Sequence, residues 1–371
     1  MKPETGNRRQ SVNGQRRGFT TGACAQAAAR AAALTVAAGG VSCGAGKDGT
    51  HPGSPEKPGA VEITLPNGET AGFKAVIHRE GVCSVRKDAG SDPDITGGAR
   101  IFACVVARQD GRFYVDGAEG VGRVTREGLA IRPGRPAINP VPLRHIRDEA
   151  RRVLPRGAEV IISIPGGEQL ASRTFNPKLG IAGGLSILGT TGRVEPWSRV
   201  AYQESLLPQL DVARAAGVRV PVLVPGAKGE KAAVAAGFDP VAIVQAGNFL
   251  GMMMEAAAGR GFRRLALLGH AAKLAKLARG NFDTHSRRSP APLDVVADAA
   301  GSCGLSGRQA RALALLPTTE AAIKKLLEAG RREVLDEVAR RSAAKASKEF
   351  GLKVEVFLTD GGGAIVGKAD W

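Results

Sequence analysis

Aromatic residues are scarce in this 371-residue chain, where two Trp, two Tyr and eleven Phe make up 4% of the sequence. That scarcity argues against recognition of bases by stacking on aromatic platforms, the mode on which single-strand binders rely. Cysteines are few and odd in number: Cys24, Cys43, Cys83, Cys104 and Cys303, with no Cys-x-x-Cys pair among them. A disulfide framework and a zinc ribbon are set aside, no metal ligation by protein side chains is expected, and a reducing cytoplasm fits best. No run approaches the roughly 18 apolar residues of a membrane helix. A proper Gly-x-Gly-x-x-Gly fingerprint is also missing. Tyr114 to Gly122 imitates its strand and turn, but Gly128, Pro133, Gly134 and Pro136 interrupt the helix that should follow, which weakens an oxidoreductase reading.

Positive charge is abundant instead. Fifty-two Lys and Arg against 35 Asp and Glu give a formal charge of +17. The basic residues are dispersed and show no zinc-finger, RNP-type or basic-zipper spacing, so they suit an anionic small molecule or a solvated surface better than nucleic acid. Arg16-Arg17-Gly-Phe19, an Ala-rich run and Val41-Ser-Cys43 together imitate an export signal with a lipobox. Gln26 and Arg30 interrupt its apolar core, and Leu is absent where a lipobox needs it, so export is not expected.

Residues 1–16 are polar and basic and are expected to form a disordered tail. Residues 17–140 read as an α+β domain. Thr20 or Thr21 can cap an Ala-rich helix running to about Ala38, and Asn67-Gly68 predicts a hairpin between strands at 61–65 and 73–77. Asp110-Gly111 predicts a second hairpin, joining 100–107 to 112–116. Residues 141–371 read as an α/β domain with a mostly parallel, doubly wound sheet, its strands at 159–164, 185–188, 218–224, 241–245, 264–268 and 354–358. The turns after five of these strands, at 165–167, 189–192, 225–226, 246–248 and 269–270, are expected to converge on one crevice at the strand C-termini. Residues 305–350 read as a helical, charged packing layer.

The densest turn lies in Thr174-Phe-Asn-Pro-Lys-Leu-Gly-Ile-Ala-Gly-Gly-Leu-Ser-Ile-Leu-Gly-Thr-Thr-Gly-Arg-Val-Glu-Pro196. Its Gly189-Thr-Thr-Gly192 reads equally as a ligand loop or as a plain tight turn. Four further blocks accompany it: Gly18-Phe-Thr-Thr-Gly-Ala-Cys-Ala-Gln-Ala-Ala-Ala-Arg-Ala-Ala32; Arg86-Lys-Asp-Ala-Gly-Ser-Asp-Pro-Asp-Ile-Thr96; Glu119-Gly-Val-Gly-Arg-Val-Thr125 with Pro136-Ala-Ile-Asn-Pro-Val-Pro142; and Gln245-Ala-Gly-Asn-Phe-Leu-Gly251 with Gly269-His270 and Thr284-His-Ser-Arg287. Together, in this order over roughly residues 18 to 290, they make the chain resemble the cobalt-precorrin-5B C(1)-methyltransferase family, the CbiD-type enzymes of anaerobic cobalamin synthesis. The chain departs from the family pattern at Gly97, at Ala271-Ala-Lys273 and at Arg288-Ser-Pro-Ala-Pro-Leu-Asp294.

The resemblance implies methylation of cobalt-precorrin-5B at C-1 by S-adenosylmethionine, giving cobalt-precorrin-6A, with cobalt present only inside the substrate. It also implies an anionic corrinoid precursor as partner, with neither nucleic acid nor membrane, while a homo-oligomer stays open. Thr20, Thr21, Lys87, Asp88, Asp94, Arg123 and Asn139 would lie near the macrocycle; Asp92 reads best as part of a salt-bridged turn. Leu188, Gly189, Thr190, Thr191, Gly192 and Asn248 are the expected contacts of the methyl donor. His270, directly after a strand, and His285, in a loop, are the candidates for proton handling, and each reads as well as a structural histidine. Two alternatives stay open: a methyltransferase for another tetrapyrrole or the metal-free precorrin, and a non-catalytic basic protein that binds anionic ligands or nucleic acid.

Overall fold

The computed structural model describes residues 11–12, 14–39 and 57–370. Most of the expected tail, the loop that contains Cys43, and the lipobox-like residues lie outside that set. Two compact units divide the chain, Met1–Ala201 and Tyr202–Trp371. The boundary therefore falls some sixty residues beyond the proline-rich stretch at 133–142, and residues 141–201 belong with the N-terminal unit.

In the first unit α1 (Thr21–Gly39) starts where Thr20 Oγ1 accepts a hydrogen bond from Ala23 N at 3.1 Å, the N-cap geometry that threonine favours. Its alanines are almost all buried, and their small side chains let the helix lie close against a sheet. That sheet contains β1 (Lys57–Thr64), β2 (Thr70–Arg79), β3 (Val82–Arg86), β4 (Arg100–Ala107), β5 (Phe113–Gly117) and β6 (Ala158–Ser163), in the order β1-β2-β3-β4-β6-β5. Buried and exposed residues alternate along β1, β2 and β6, so one face carries the core and the other does not. The Asn67-Gly68 hairpin forms as expected: Leu65 N donates to Glu69 O at 2.8 Å, and Gly68 takes φ +85°.

The hairpin expected at Asp110-Gly111 does not form. β6 lies between β4 and β5, antiparallel to the first and parallel to the second. The 108–112 loop is opened by the chain entering β6, since Gly111 N bonds Arg156 O at 2.8 Å and Ala158 N bonds Arg112 O at 3.0 Å. Buried Val160 and Ile162 gain a neighbouring strand on each side, which local turn chemistry does not foresee. α2 (Pro140–Val153) packs against α1. Glu149, 1% exposed, joins the two helices by accepting from Gln26 Nε2 at 3.2 Å, Arg30 at 2.6 Å and Arg152 at 2.8 Å. Gln26 and Arg30, the residues that spoil the export signal, are thus structural.

The second unit holds β7 (Val222–Val224), α3 (Ala227–Ala235), β8 (Ile243–Gln245), α4 (Leu250–Gly259), β9 (Arg264–His270), α5 (Arg332–Phe350), β10 (Lys353–Thr359) and β11 (Ile365–Ala369). The strand order is β8-β7-β9-β10-β11, parallel except for β11. Gly361-Gly-Gly363 reverses the chain between β10 and β11, with Asp360 Oδ1 accepting from Gly362 N and Ala364 N, both at 2.9 Å. Four of the six strands assigned to the α/β sheet are therefore in it. The other two, at 159–164 and 185–188, belong to the first unit: one is β6, and Gly184–Leu185 pairs in parallel with Gly120–Val121. Among the five turns expected to share a crevice, only 225–226, 246–248 and 269–270 follow adjacent strands of one sheet. The chain order reverses between β7 and β9, and the C-terminal ends of strands at such a switch are where open parallel sheets bind ligands. Between Phe350 and β10, Gly351 closes α5 with φ +65°.

Candidate functional site

A cleft of about 530 Å³ opens in the second unit, lined by Asn248, Lys273, Lys276, Thr284, His285, Ser289 and Thr318 to Glu320 among others. Asn248 follows β8, Lys273 lies just beyond β9, and Thr318 caps the helix Thr319–Glu328 by accepting from Ala321 N at 3.1 Å. The 283–289 loop is seated on the turn after β8, with Thr284 N donating to Asn248 O at 2.9 Å. Of the expected site residues, this cleft brings together Asn248 and His285.

His270 stands at its edge as the last residue of β9. Its Nδ1 accepts from Ala272 N at 3.2 Å and its Nε2 lies 2.6 Å from Glu320 Oε2, so the neutral ring carries its proton on Nε2 and donates a hydrogen bond to the carboxylate. Glu320 Oε1 accepts from Gly361 N at 3.2 Å. His285 Nδ1 likewise accepts a backbone N–H, from Arg287 at 3.2 Å, which again leaves the proton of the neutral ring on Nε2. In that form both imidazoles are hydrogen-bond donors at Nε2, and neither offers a lone pair there for a base.

Sequence reasoning passes over the two lysines of the cleft and Ser289. Lys273 Nζ donates to Asn248 Oδ1 at 3.0 Å, and burial pulls its pKa below the usual lysine value. Lys276, 6% exposed, donates to Thr284 O at 3.0 Å and Ser289 O at 2.8 Å; burial and then the charge of Lys273 lower its pKa, against a smaller opposing effect of Asp283. Ser289 is 2% exposed, and its Oγ has no hydrogen-bond partner among the described residues. The signal that could have found them is Ala271-Ala-Lys-Leu-Ala-Lys276, two lysines three positions apart directly after a strand.

The remaining expected site residues lie in the first unit. Thr21 Oγ1 donates to Ser186 O at 3.0 Å and accepts from Leu188 N at 3.0 Å; Gly22 N donates to Leu188 O at 2.9 Å, and Thr20 N to Gly192 O at 3.1 Å. Asn139 N donates to Ile187 O at 2.9 Å. Thr20, Thr21, Asn139, Leu188, Gly189 and Gly192 are thus together, held by hydrogen bonds and close packing within the fold itself. A Cβ on Gly189, whose φ is +127°, would sit 2.4 Å from Thr20 Oγ1, so close packing accounts for this glycine. Thr190 and Thr191 stay exposed.

Lys87, 2% exposed, donates to Asp94 Oδ2 at 2.6 Å, and Asp94 Oδ1 accepts from Thr96 N and Oγ1. Burial pushes the Asp94 carboxyl up, but the Lys87 charge and these hydrogen bonds outweigh it and hold the pKa below the usual range. Asp88 is paired with Arg16, whose backbone N also donates to Ser91 Oγ at 3.1 Å, so residue 16 is fixed to the fold and is not part of a free tail. Asp92 Oδ2 accepts from Trp197 N at 2.9 Å. Trp197 is 68% exposed and, among the described residues, the one non-glycine with positive φ, +56°. Arg123 donates to Asp116 Oδ1 at 3.1 Å, Gly117 O at 3.0 Å and Gly134 O at 3.1 Å. Among the described residues no group of three or more His, Cys, Asp or Glu is placed to hold a metal, and no helix is long and apolar enough to cross a membrane.

The chain matches the CbiD family over residues 8–196 and the CbiD C-terminal domain over residues 283–370. A cobalt-precorrin-5B C(1)-methyltransferase from Moorella thermoacetica is 41% identical over 340 residues, covering 90% of this chain and 88% of that protein. One of the same name from Syntrophotalea carbinolica is 46% identical over 287 residues, covering 76% and 77%. A crystal structure of a cobalamin biosynthesis protein (cbiD) from Archaeoglobus fulgidus is 27% identical and covers 74% of this chain and 83% of its own, with a TM-score of 0.40. On the agreement of both family domains and of relatives above 40% identity across three quarters or more of each length, the chain belongs to the CbiD family.

Proposed function

We propose that this chain methylates C-1 of cobalt-precorrin-5B with S-adenosylmethionine as donor, in the cytoplasm, as a step of corrin ring synthesis. One observation carries the reading: curated relatives named for that activity match it along about nine tenths of both lengths. The bound donor supplies an electrophilic methyl on a sulfonium, and the macrocycle's own carbon supplies the electron pair. The protein needs no nucleophile, and its work is alignment and exclusion of water. The cleft of the second unit suits the donor, because it opens at the C-terminal ends of β8 and β9 beside the change in chain order.

His270 positions Glu320 and the helix start that follows Thr318. His285 has its Nε2–H left for a ligand, so its role is hydrogen-bond donation and not proton abstraction. The test is incubation of the purified protein with methyl-labelled S-adenosylmethionine and cobalt-precorrin-5B, followed by location of the label. Label at C-1 is expected, and its absence from the macrocycle sinks the reading. In single turnovers His285→Ala is expected to be about tenfold to a hundredfold slower, with His285→Gln, which can still donate, much closer to the parent. Equal loss in both variants would instead mark His285 as an acid or base.

A further inference from the structure

The cleft of the second unit contains positive charge, that of Lys276 buried and that of Lys273 half-buried, with which no carboxylate forms an ion pair among the described residues, although Asp283 acts on Lys276 from a distance. Neither Lys273 nor Lys276 is ion-paired among the described residues; their hydrogen-bond acceptors are an amide oxygen and two backbone carbonyls. Glu320 shares the cleft, but its two oxygens are taken by His270 and Gly361 N. Asp283 is bonded to His285 N and to Arg288. Burying an ammonium costs several kcal/mol unless a counter-charge offsets it. Ser289 Oγ, 2% exposed and without a partner among the described residues, lines the same space. A buried hydroxyl left unsatisfied is rare in native folds and calls for a partner from outside. The ten-residue helix Thr319–Glu328 also begins at this cleft, adding the partial positive charge of its N-terminus.

We propose that the cleft is a carboxylate-binding site in which the Lys273 ammonium and the Ser289 hydroxyl hold the ligand's carboxylate. Lys276 has a different part. Its two carbonyl bonds tie the 284–289 loop in place, and its charge adds to the field without need of direct contact. The assignment rests on the methyltransferase reading, under which two ligands carry carboxylates: the donor at its methionine end and the macrocycle at its acetate and propionate edges. The position of the cleft beyond β8 and β9 favours the donor.

Calorimetry on the full chain decides the matter, with Lys273→Met and Ser289→Ala titrated against S-adenosylmethionine, against 5′-methylthioadenosine, which lacks the amino-acid end, and against cobalt-precorrin-5B. Removing a charge-assisted hydrogen bond from a buried site weakens binding by about tenfold to a hundredfold. The expected result is that loss for S-adenosylmethionine in both variants with methylthioadenosine unchanged. Loss confined to the macrocycle supports the carboxylate site and moves its ligand from donor to substrate. Unchanged affinity for both ligands in folded variants, or equal losses for S-adenosylmethionine and methylthioadenosine, overturns the proposal. A parent protein that binds neither ligand refutes the functional reading instead. The carboxylate site is then judged by thermal shift with citrate, where equal shifts in parent and Lys273→Met overturn it and a shift lost in the variant supports it.

Discussion

At Thr20, Thr21 and the 188–192 turn of the first unit the hydroxyl and backbone groups are bonded to the fold itself, with Nη1 of the neighbouring buried Arg193 left without a partner among the described residues, whereas in the cleft of the second unit two lysines lack an ion pair and the Ser289 hydroxyl lacks any partner. Thr21 Oγ1 bridges Ser186 O and Leu188 N, and Thr20 caps α1. Lys273, Lys276 and Ser289 instead hold two ammonium charges with no carboxylate partner and an idle hydroxyl, among the described residues. The difference shows that a stretch rich in Gly and Thr is as much a signature of close backbone approach as of ligand binding. Unsatisfied buried chemistry is the sharper pointer to a ligand.

The largest effect that tests this contrast belongs to Gly120, from the block Glu119-Gly-Val-Gly122. Its φ is +69°, and a Cβ there would sit 1.8 Å from Ile164 O, a backbone atom that cannot swing away. Gly120→Ala is expected to destabilise the protein by about 3 kcal/mol or more, read as the urea midpoint. Gly183, at φ +77° with nothing within 4 Å of its missing Cβ, is the control, and Gly183→Ala should cost only about 1 kcal/mol. Similar small costs at both positions would mean that Gly120 does not serve packing, and would make the block a candidate ligand loop.

Next in size is the Lys87–Asp94 pair. Asp94→Asn leaves the Lys87 ammonium buried beside a neutral amide, and a loss of about 3 kcal/mol at neutral pH is expected. Because the folded pKa of Asp94 is depressed, its stabilising contribution is complete above the unfolded carboxylate value of about 4 and disappears as pH falls through the lower folded value. The stability curves of parent and variant should therefore converge on the acid side. Curves that stay parallel down to acid unfolding would show that the pair contributes nothing through ionisation and would free both side chains for a ligand role.

Much of the fold is legible in the sequence. The Asn67-Gly68 hairpin, the cap at Thr20 and four strands of the second sheet follow from periodicity and turn chemistry, which act over a few residues. The failures are all long-range. Nothing local to Asp110-Gly111 announces that β6, some fifty residues on, separates the strands it was expected to join. Short apolar runs at 159–164 and 185–188 look alike whichever unit receives them, so the expected boundary falls too early. The site is less legible for a related reason. Asn248 and His285 can be named from their blocks, but the bonding of Lys276 to Thr284 O and Ser289 O, and the lack of a partner for Ser289 Oγ, exist only once the 283–289 loop is folded onto β8 and β9.

The smallest expected effect is also the most discriminating, because it sets one hydroxyl against another. Thr21→Val keeps the shape of the side chain but removes a donor to the buried Ser186 O and the acceptor of Leu188 N, leaving both backbone groups short of a partner. A loss of about 1–3 kcal/mol is expected. Ser289→Ala removes a hydroxyl that has nothing to lose, so stability without ligand should stay within about 0.5 kcal/mol of the parent and can rise slightly. Paired denaturant titrations without ligand check both. A Ser289→Ala variant as unstable as Thr21→Val would show that Ser289 already has a structural partner. Its hydroxyl would then be part of the fold, and the contrast between the two regions would fail at the residue on which it most depends.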